Sequence, residues 1–228
     1  AIVCSLVGSE MCIRDRRLIW NNSYNMRIFK DKKLVIASHN KGKITEIKDL
    51  LEPLDIQILS AYDFDIEEPE ENGLTFEENA LIKSTFVTQH TGLPSISDDS
   101  GICFSDLNGD PGIYSARWAG PNKDFNKAMS KINSAIKGKK SPSYNCHFIC
   151  SLSISWPDNY DVTVSGSIDG KFSWPPKGDK GFGYDPIFKP LGYDITFAEI
   201  DPHFKHKISH RAIAFNKLIN LCFPSLKC

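Results

Sequence analysis

Hydrophobic and polar positions follow two different periods along this chain, and their alternation predicts strands and helices in turn. Short apolar runs at 32–38 (KKLVIAS) and 55–60 (DIQILS) predict buried strands. The intervening segment 42–54 (GKITEIKDLLEPL) places apolar residues every three or four positions, which is typical of an amphipathic helix. Pro53 predicts the end of that helix, because proline cannot continue the hydrogen-bonding ladder.

The middle of the chain continues this alternation. Thr75 and Glu78 fit a capping box, which predicts a helix that begins at Thr75 and ends at Gly92. Two short strands, at 95–97 and 101–107, are predicted on either side of the polar sequence Asp98-Asp99-Ser100. An amphipathic helix is predicted from about Lys123 to Lys137.

The last third predicts a hairpin and a final helix. Strands at 143–156 and 160–171 flank the turn sequence WPDN, and a helix is predicted from about Ser209. Strand–helix alternation followed by a hairpin is typical of an α/β fold with a mixed sheet and helices on its faces. We expect a cleft between two lobes near the middle of the chain.

The composition excludes several classes of protein. The chain has 228 residues, of which 41% are hydrophobic and 11% aromatic, so it is neither disordered nor too short for a sizeable core. Its formal net charge of −1 argues against a general nucleic-acid binder, and no stretch approaches the roughly 18 apolar residues of a membrane span. An anionic ligand would therefore be bound by locally placed cations.

The seven cysteines favour a reducing compartment. They are odd in number and contain no CxxC pair, and Cys146 and Cys150 alternate with apolar residues on one face of a predicted strand. We therefore expect thiols packed in the core of a cytoplasmic protein, and neither a disulfide nor a zinc site.

The first 25 residues do not follow these patterns. The stretch AIVCSLVGSEMCIRDR resembles translated sequencing-adapter sequence and lacks the basic lead-in of a signal peptide. We expect residues 1–25 to be a non-native leader, the native start to be Met26, and residues 26–228 to form one two-lobed domain.

Four polar constellations interrupt the regular pattern. The first joins the first strand to the first helix and consists of Ser38, His39, Asn40, Lys41, Gly42 and Lys43. A helix N-terminus with nearby polar side chains, a glycine and a lysine is suited to cradling a phosphate. The Walker pattern is absent, so an ordinary strand-to-helix turn is the alternative.

The second and third constellations are acidic. Glu70 and Glu71 precede the helix that carries Lys83, a lysine placed close to that helix's apolar stripe. Asp98 and Asp99 are adjacent carboxylates, followed by Ser100, and they repel each other unless a cation lies between them or one is protonated. A solvated loop and a simple turn are the alternatives.

The fourth constellation is spread over the last third of the chain. Its members are Phe182, Gly183, Tyr184, Asp185, Lys205, His210 and Arg211. The aromatic ring of Phe182, or that of Trp118, is suited to stacking on a flat ligand. Together the lysines, carboxylates and aromatic rings predict a nucleoside triphosphate site that uses Mg²⁺, because this ion binds through one or two carboxylates plus substrate phosphates.

The constellations fall within six motifs that resemble the inosine triphosphate pyrophosphatase family, and within it the bacterial dITP/XTP pyrophosphatases. The motifs, in family order, are LVIASHNKGK, TFEENALIK, SDDSG, PGIYSARWAG, GFGYDPIF and KHKISHRA. They cover essentially all of residues 32–222. The resemblance implies a long, bent mixed sheet, a deep active-site cleft, a homodimer, and hydrolysis of dITP, ITP and XTP to the monophosphate and pyrophosphate.

The resemblance also assigns roles to residues. It implies that Asp99 is the proton acceptor and a magnesium ligand, that Glu70 or Glu71 is the second ligand, and that Ser100 touches the substrate. Ser38 to Lys43, Lys83 and Asp98 match the phosphate site, and the fourth constellation matches the nucleotide-binding positions. His39 replaces a residue that is often glycine.

A mechanism and two rival functions follow. Water attack at the α-phosphorus would release pyrophosphate stabilised by Lys43 and Lys83, and donors from His210 or Arg211 would select a 6-oxo purine. The rivals are a pyrophosphatase for modified pyrimidine triphosphates and a non-catalytic nucleotide-binding module. No nucleic-acid or membrane partner is expected.

Overall fold

The computed structural model describes residues 27–224, so the predicted leader and the predicted start at Met26 lie outside the described residues. The chain divides into two units, and each is considered by itself. The larger unit is Asp31–Leu218. The described part of the smaller unit comprises 27–30 and 219–224, within which the Phe29 amide donates to the Cys222 carbonyl and the Phe29 ring contacts that of Phe223.

A six-stranded mixed sheet forms the centre of the larger unit. Its strands are β1 (Lys33–Ala37), β2 (Gln57–Ser60), β3 (Ser95–Phe104), β4 (Asn145–Ser155), β5 (Asp161–Phe172) and β6 (Phe188–Pro190). The order across the sheet is β2-β1-β3-β4-β5-β6. Strand β1 pairs in parallel with β2 and β3, whereas β3 to β6 pair antiparallel. The predicted α/β fold with a mixed sheet is confirmed.

Six α-helices occur in the described residues. They are α1 (Lys41–Leu51), α2 (Phe76–Thr91), α3 (Ser115–Trp118), α4 (Phe125–Lys137), α5 (Pro202–Ile208) and α6 (His210–Cys222). The predicted helices correspond to α1, α2, α4 and α6, and each end that was predicted lies within about two residues of the observed one. The short elements α3, β6 and α5 were not anticipated, because none is long enough to show a hydrophobic period.

The predicted cap of α2 is half confirmed. The Thr75 hydroxyl accepts a hydrogen bond from the Glu78 amide at 3.1 Å, as expected. The Glu78 carboxylate accepts from the amide of Leu74, and not from that of Thr75 as a capping box requires.

The prediction of two short strands around Asp98-Asp99-Ser100 is wrong, because β3 runs through all three residues without a break. Asp98 lies opposite Leu152, and Asp99 opposite Ser151, in the antiparallel ladder with β4. Successive side chains of a strand point to opposite faces, so the two carboxylates are directed apart. Cations on each face, described below, make a continuous strand possible.

Apolar side chains pack on both sides of the sheet. The larger cluster includes Ile102, Phe104, Ile132 and Phe148, and it joins α4 to β3 and β4. Cys146 and Cys150 are buried free thiols, as predicted. Within residues 27–224, no helix has the length and apolar character needed to cross a membrane.

Candidate active site

One cavity in the larger unit brings together most of the predicted site. Its volume is about 680 Å³, within the usual range for small-molecule sites. The predicted residues that line it are Ser38, Asn40, Lys43, Glu70, Glu71, Lys83, Asp99, Ser100, Phe182, Gly183, Tyr184, Asp185, Lys205, His210 and Arg211. Four predicted residues do not line it: His39, Lys41, Gly42 and Asp98.

Asp99 is the carboxylate with an unused oxygen. Its Oδ1 lies 3.2 Å from Nζ of Lys83, whereas its Oδ2 is buried and has no hydrogen-bond partner in the described structure. Burial raises the pKa of Asp99, helped by the nearby charges of Glu71 and Asp98, although Lys83 and Lys43 act in the opposite direction. The free oxygen is therefore an acceptor for a proton or a ligand for a cation.

Lys83 joins Asp99 to the acidic segment. Its Nζ lies 2.5 Å from Oε1 of Glu71 as well as 3.2 Å from Asp99. Burial works against the charged form of this lysine, but Asp99 and Glu71 raise its pKa above the ordinary value, so it stays cationic. Glu70 also lines the cavity, but it is exposed and makes no hydrogen bond or ion pair in residues 27–224. The geometry thus separates the two glutamates that the sequence left equivalent.

Asp98 serves as an anchor for two cations. It is fully buried, and its Oδ1 lies 2.5 Å from Nζ of Lys43 while its Oδ2 lies 3.0 Å from Nε of Arg211. Burial opposes its charge, but Arg211 and Lys43 hold the pKa of Asp98 well below its usual range. The thiol of Cys150 also donates to Oδ2, at 2.9 Å. Asp98 therefore positions cavity residues without lining the cavity itself.

The predicted phosphate-binding loop, Ser38 to Lys43, differs from the prediction in one respect. Oδ1 of Asn40 accepts hydrogen bonds from the amides of Gly42 at 3.0 Å and Lys43 at 3.2 Å, so these amides already have a partner. Side chains, chiefly that of Lys43, are what the loop offers to an anion. His39 binds the Ile66 carbonyl through Nε2 at 2.8 Å, and Lys41 is exposed outside the cavity.

Phe182 presents its ring at the other end of the cavity. A Cβ atom on Gly42 would lie 2.8 Å from Cδ1 of Phe182, so glycine is needed for the ring to pack here. Nζ of Lys205 lies 5.1 Å from the centre of this ring. Trp118, the other candidate for stacking, lies outside the cavity lining, beneath Nζ of Lys131 at 3.8 Å. The structure therefore favours Phe182 as the stacking ring.

Lys205 and Arg211 are held by a residue that sequence reasoning missed, Glu46 of α1. Its Oε1 lies 3.0 Å from Nζ of Lys205, and its Oε2 pairs with Nη1 of Arg211. Burial opposes the charge, but Arg211 and Lys205 lower the pKa of Glu46 to about 2. The sequence contains one sign of this placement. Glu46 lies four positions before Leu50, a member of the apolar stripe, so the two side chains lie on the same face of α1.

His210 and Arg211 play different parts in the cavity. The three guanidinium nitrogens of Arg211 bind Asp98, Glu46 and Ser100, so they have partners already. The His210 ring stacks on Phe148 with centroids 4.8 Å apart, and its buried Nδ1 has no partner in the described structure. Burial and the neighbouring Arg211 hold the pKa of His210 well below its usual range, so the ring is neutral.

Three further contacts involve residues that the sequence did not indicate as part of the site. Phe148 supports the His210 ring, Cys150 donates to Asp98, and Arg117 lines the cavity beside the acidic segment. Phe148 and Cys150 face the same side of β4 because they are two positions apart. The alternation showed that they were buried but not what they contact.

The chain is similar to known proteins over nearly its whole length. The model of the Ham1 family matches residues 34–221. A dITP/XTP pyrophosphatase of Zymomonas mobilis is 44% identical over 203 residues, covering 89% of this chain and 97% of that protein. One from Rhodospirillum centenum is 46% identical over 198 residues, covering 86% and 98%. The structure of a HAM1 protein from Coxiella burnetii matches with a TM-score of 0.77 and 34% identity, covering 83% of this chain and 98% of that one.

Proposed function

Because the chain belongs to the Ham1 family, we propose that it hydrolyses dITP, ITP and XTP to the nucleoside monophosphate and pyrophosphate. One observation carries the proposal for this chain. Asp99, whose Oδ2 has no partner in the described structure, lines the same cavity as Lys43 and Lys83, so a base and two cations surround one space. This is the arrangement that water attack on a polyphosphate requires.

The carboxylates fit a magnesium ion. Asp99 offers a buried oxygen without a partner, and Glu71 lies beside it on the same lysine. No group of three or more acidic, histidine or cysteine side chains forms a metal cage in residues 27–224. Mg²⁺ needs none, because it binds through one or two carboxylates and takes its other ligands from phosphates and water. When bound, Mg²⁺ supplies charge neutralisation on the substrate phosphates.

Asp99 accepts the proton of the attacking water in this mechanism. As the water oxygen bonds to the α-phosphorus, the bond between that phosphorus and the bridging oxygen to the β-phosphate breaks. The proton passes to the Asp99 carboxylate and then to solvent. Burial raises the pKa of Asp99, which makes it a stronger base than an exposed carboxylate.

Lys43 and Lys83 stabilise the departing pyrophosphate. Lys43 is paired with Asp98, and Lys83 is paired with Asp99 and Glu71. Each is thus fixed in place before substrate arrives. Phosphoryl transfer depends mainly on such positioning and on charge stabilisation, because the protein contributes little covalent chemistry of its own.

Base selection falls to His210. Its neutral ring lines the cavity and donates a hydrogen bond from its one N–H to the 6-oxo group of hypoxanthine or xanthine, with Phe182 available for stacking. Adenine presents an amino group at that position, and the donor is then left unpaired. An unsatisfied buried group costs about 1–3 kcal/mol, which corresponds to roughly 5- to 150-fold discrimination.

The test is pyrophosphate release from dITP, XTP, dGTP, dATP and dUTP, with and without Mg²⁺. We expect magnesium-dependent release from dITP and XTP in preference to dATP and dUTP, whereas dGTP shares the 6-oxo group and tests whether a further contact selects the base. Preference for dUTP would favour the pyrimidine enzyme, and tight nucleotide binding without release would favour a non-catalytic module. The proposed homodimer is tested separately by light scattering of the purified protein.

A further inference from the structure

Arg117 belongs to the motif PGIYSARWAG, which the proposed mechanism does not use. Its helix α3 is fixed against β3 close to Asp99. The Ser115 hydroxyl accepts from the Ile102 amide at 3.0 Å, and a Cβ atom on Gly101 would lie only 2.4 Å from the Gly112 carbonyl oxygen. The backbone that carries Arg117 therefore has a defined place relative to the catalytic strand.

The acidic segment, residues 67–72, has almost no attachment of its own. It contains no helix or strand, although five of its six residues line the cavity. Within the described structure its backbone makes one hydrogen bond, in which Nη2 of Arg117 donates to the Glu71 carbonyl at 2.5 Å. A loop with so few hydrogen bonds opens easily unless something tethers it.

The Arg117 side chain is oriented for this task. Its guanidinium lies 5.0 Å from the centre of the Tyr114 ring, which restricts the directions it can take. The Glu71 carboxylate is bound separately, 2.5 Å from Nζ of Lys83. Two cations therefore hold Glu71: Arg117 binds its backbone carbonyl, and Lys83 binds its side chain.

We propose that Arg117 is a positioning residue that fixes Glu71 in the cavity by binding its backbone carbonyl. The inference rests on the proposed function, in which Glu71 and Asp99 share a divalent cation. Without Arg117, the acidic segment loses its backbone tether, and the Glu71 carboxylate has to be ordered when the cation binds. Changes to residues that orient metal ligands commonly weaken metal binding 10- to 100-fold.

Arg117→Met tests the proposal, because methionine fills much of the same space without donors or charge. We expect at least about tenfold weaker Mn²⁺ binding by calorimetry without nucleotide. We also expect faster amide hydrogen exchange in peptides that cover the acidic segment. Half-maximal pyrophosphate release should need a correspondingly higher Mn²⁺ concentration. Arg117→Lys should recover part of the Mn²⁺ affinity, since lysine restores one donor.

The matched control is Lys123→Met. Lys123 lines the same cavity, and its side chain makes no hydrogen bond or ion pair in the described structure, so this change removes an equal charge without releasing the acidic segment. Equal losses of Mn²⁺ affinity in both variants, or unchanged exchange in Arg117→Met, would overturn the proposal. Failure of the unmodified protein to bind Mn²⁺ and to release pyrophosphate would instead refute the proposed function, while the exchange comparison still tests the tether.

Discussion

Glu46 should stabilise the folded protein more than any surface carboxylate of the same helix. Replacing it by glutamine keeps the shape but removes the charge that pairs with Arg211 and Lys205. Arg211 keeps Asp98 and Lys205 keeps Asp185, so each cation loses one of its two carboxylate partners. The buried network of ion pairs around Glu46 is then left with one positive charge in excess.

The lowered pKa of Glu46 sets the size of the effect. It falls from the usual 4.5 to about 2 in the folded protein, which corresponds to about 3 kcal/mol at neutral pH. Breaking a buried ion pair from one side costs a similar amount, about 3–5 kcal/mol. For a domain of this size we expect Glu46→Gln to melt roughly 6–12 °C lower at pH 7.

The pH dependence has a definite sign. Because the folded pKa lies below the unfolded one, the stabilisation is complete above pH 4.5 and is lost as the pH falls toward 2. The stability gap between the unmodified protein and Glu46→Gln should therefore shrink to about 1.4 kcal/mol at pH 3.

Urea unfolding followed by circular dichroism at pH 7, 4 and 3 measures this gap. Glu52→Gln is the control, since Glu52 is exposed at the end of the same helix. A loss at pH 7 no larger than that of the control, or a gap that is constant with pH, would refute the reasoning.

Three further predictions concern the site and its support. Asp99→Asn should lower turnover by about 10²- to 10⁴-fold while dITP still binds by calorimetry, because it removes the proton acceptor but not the cations. Gly42→Ala should raise KM several-fold by displacing Phe182, yet not lower the melting temperature, since alanine favours a helix by about 0.5–1 kcal/mol. Gly166→Ala should lower the melting temperature by several degrees, because its Cβ atom would meet the backbone nitrogen of Ala214.

Hydrophobic periodicity predicted the sheet and its long helices, but it failed where charge decided the structure. It broke β3 at Asp98 and Asp99, since two adjacent carboxylates are unfavourable in a buried strand. The strand is continuous because Lys83 pairs with one carboxylate, and Lys43 and Arg211 with the other. These partners come from distant parts of the chain, so no local pattern reveals them.

The candidate site was also predictable only in part. Motif order was enough to anticipate which segments meet in the cavity. It did not separate Glu70 from Glu71, because adjacent residues of a loop carry no period that tells which one turns inward. Motif order also left open whether Arg211 or His210 binds the purine base. In the structure the guanidinium of Arg211 is already bound to Asp98, Glu46 and Ser100.

The two ends of the cavity are joined by one row of alternating charges. It runs from Lys43 through Asp98, Arg211, Glu46 and Lys205 to Asp185, with an ion pair at every step. The row holds three cations and three anions, so removing any member leaves a buried charge uncompensated along its length. Helix α1 supplies both Lys43 at the phosphate end and Glu46 one turn later at the base end. Substitutions at the two ends should therefore not be additive, because each alters the charges that position the other.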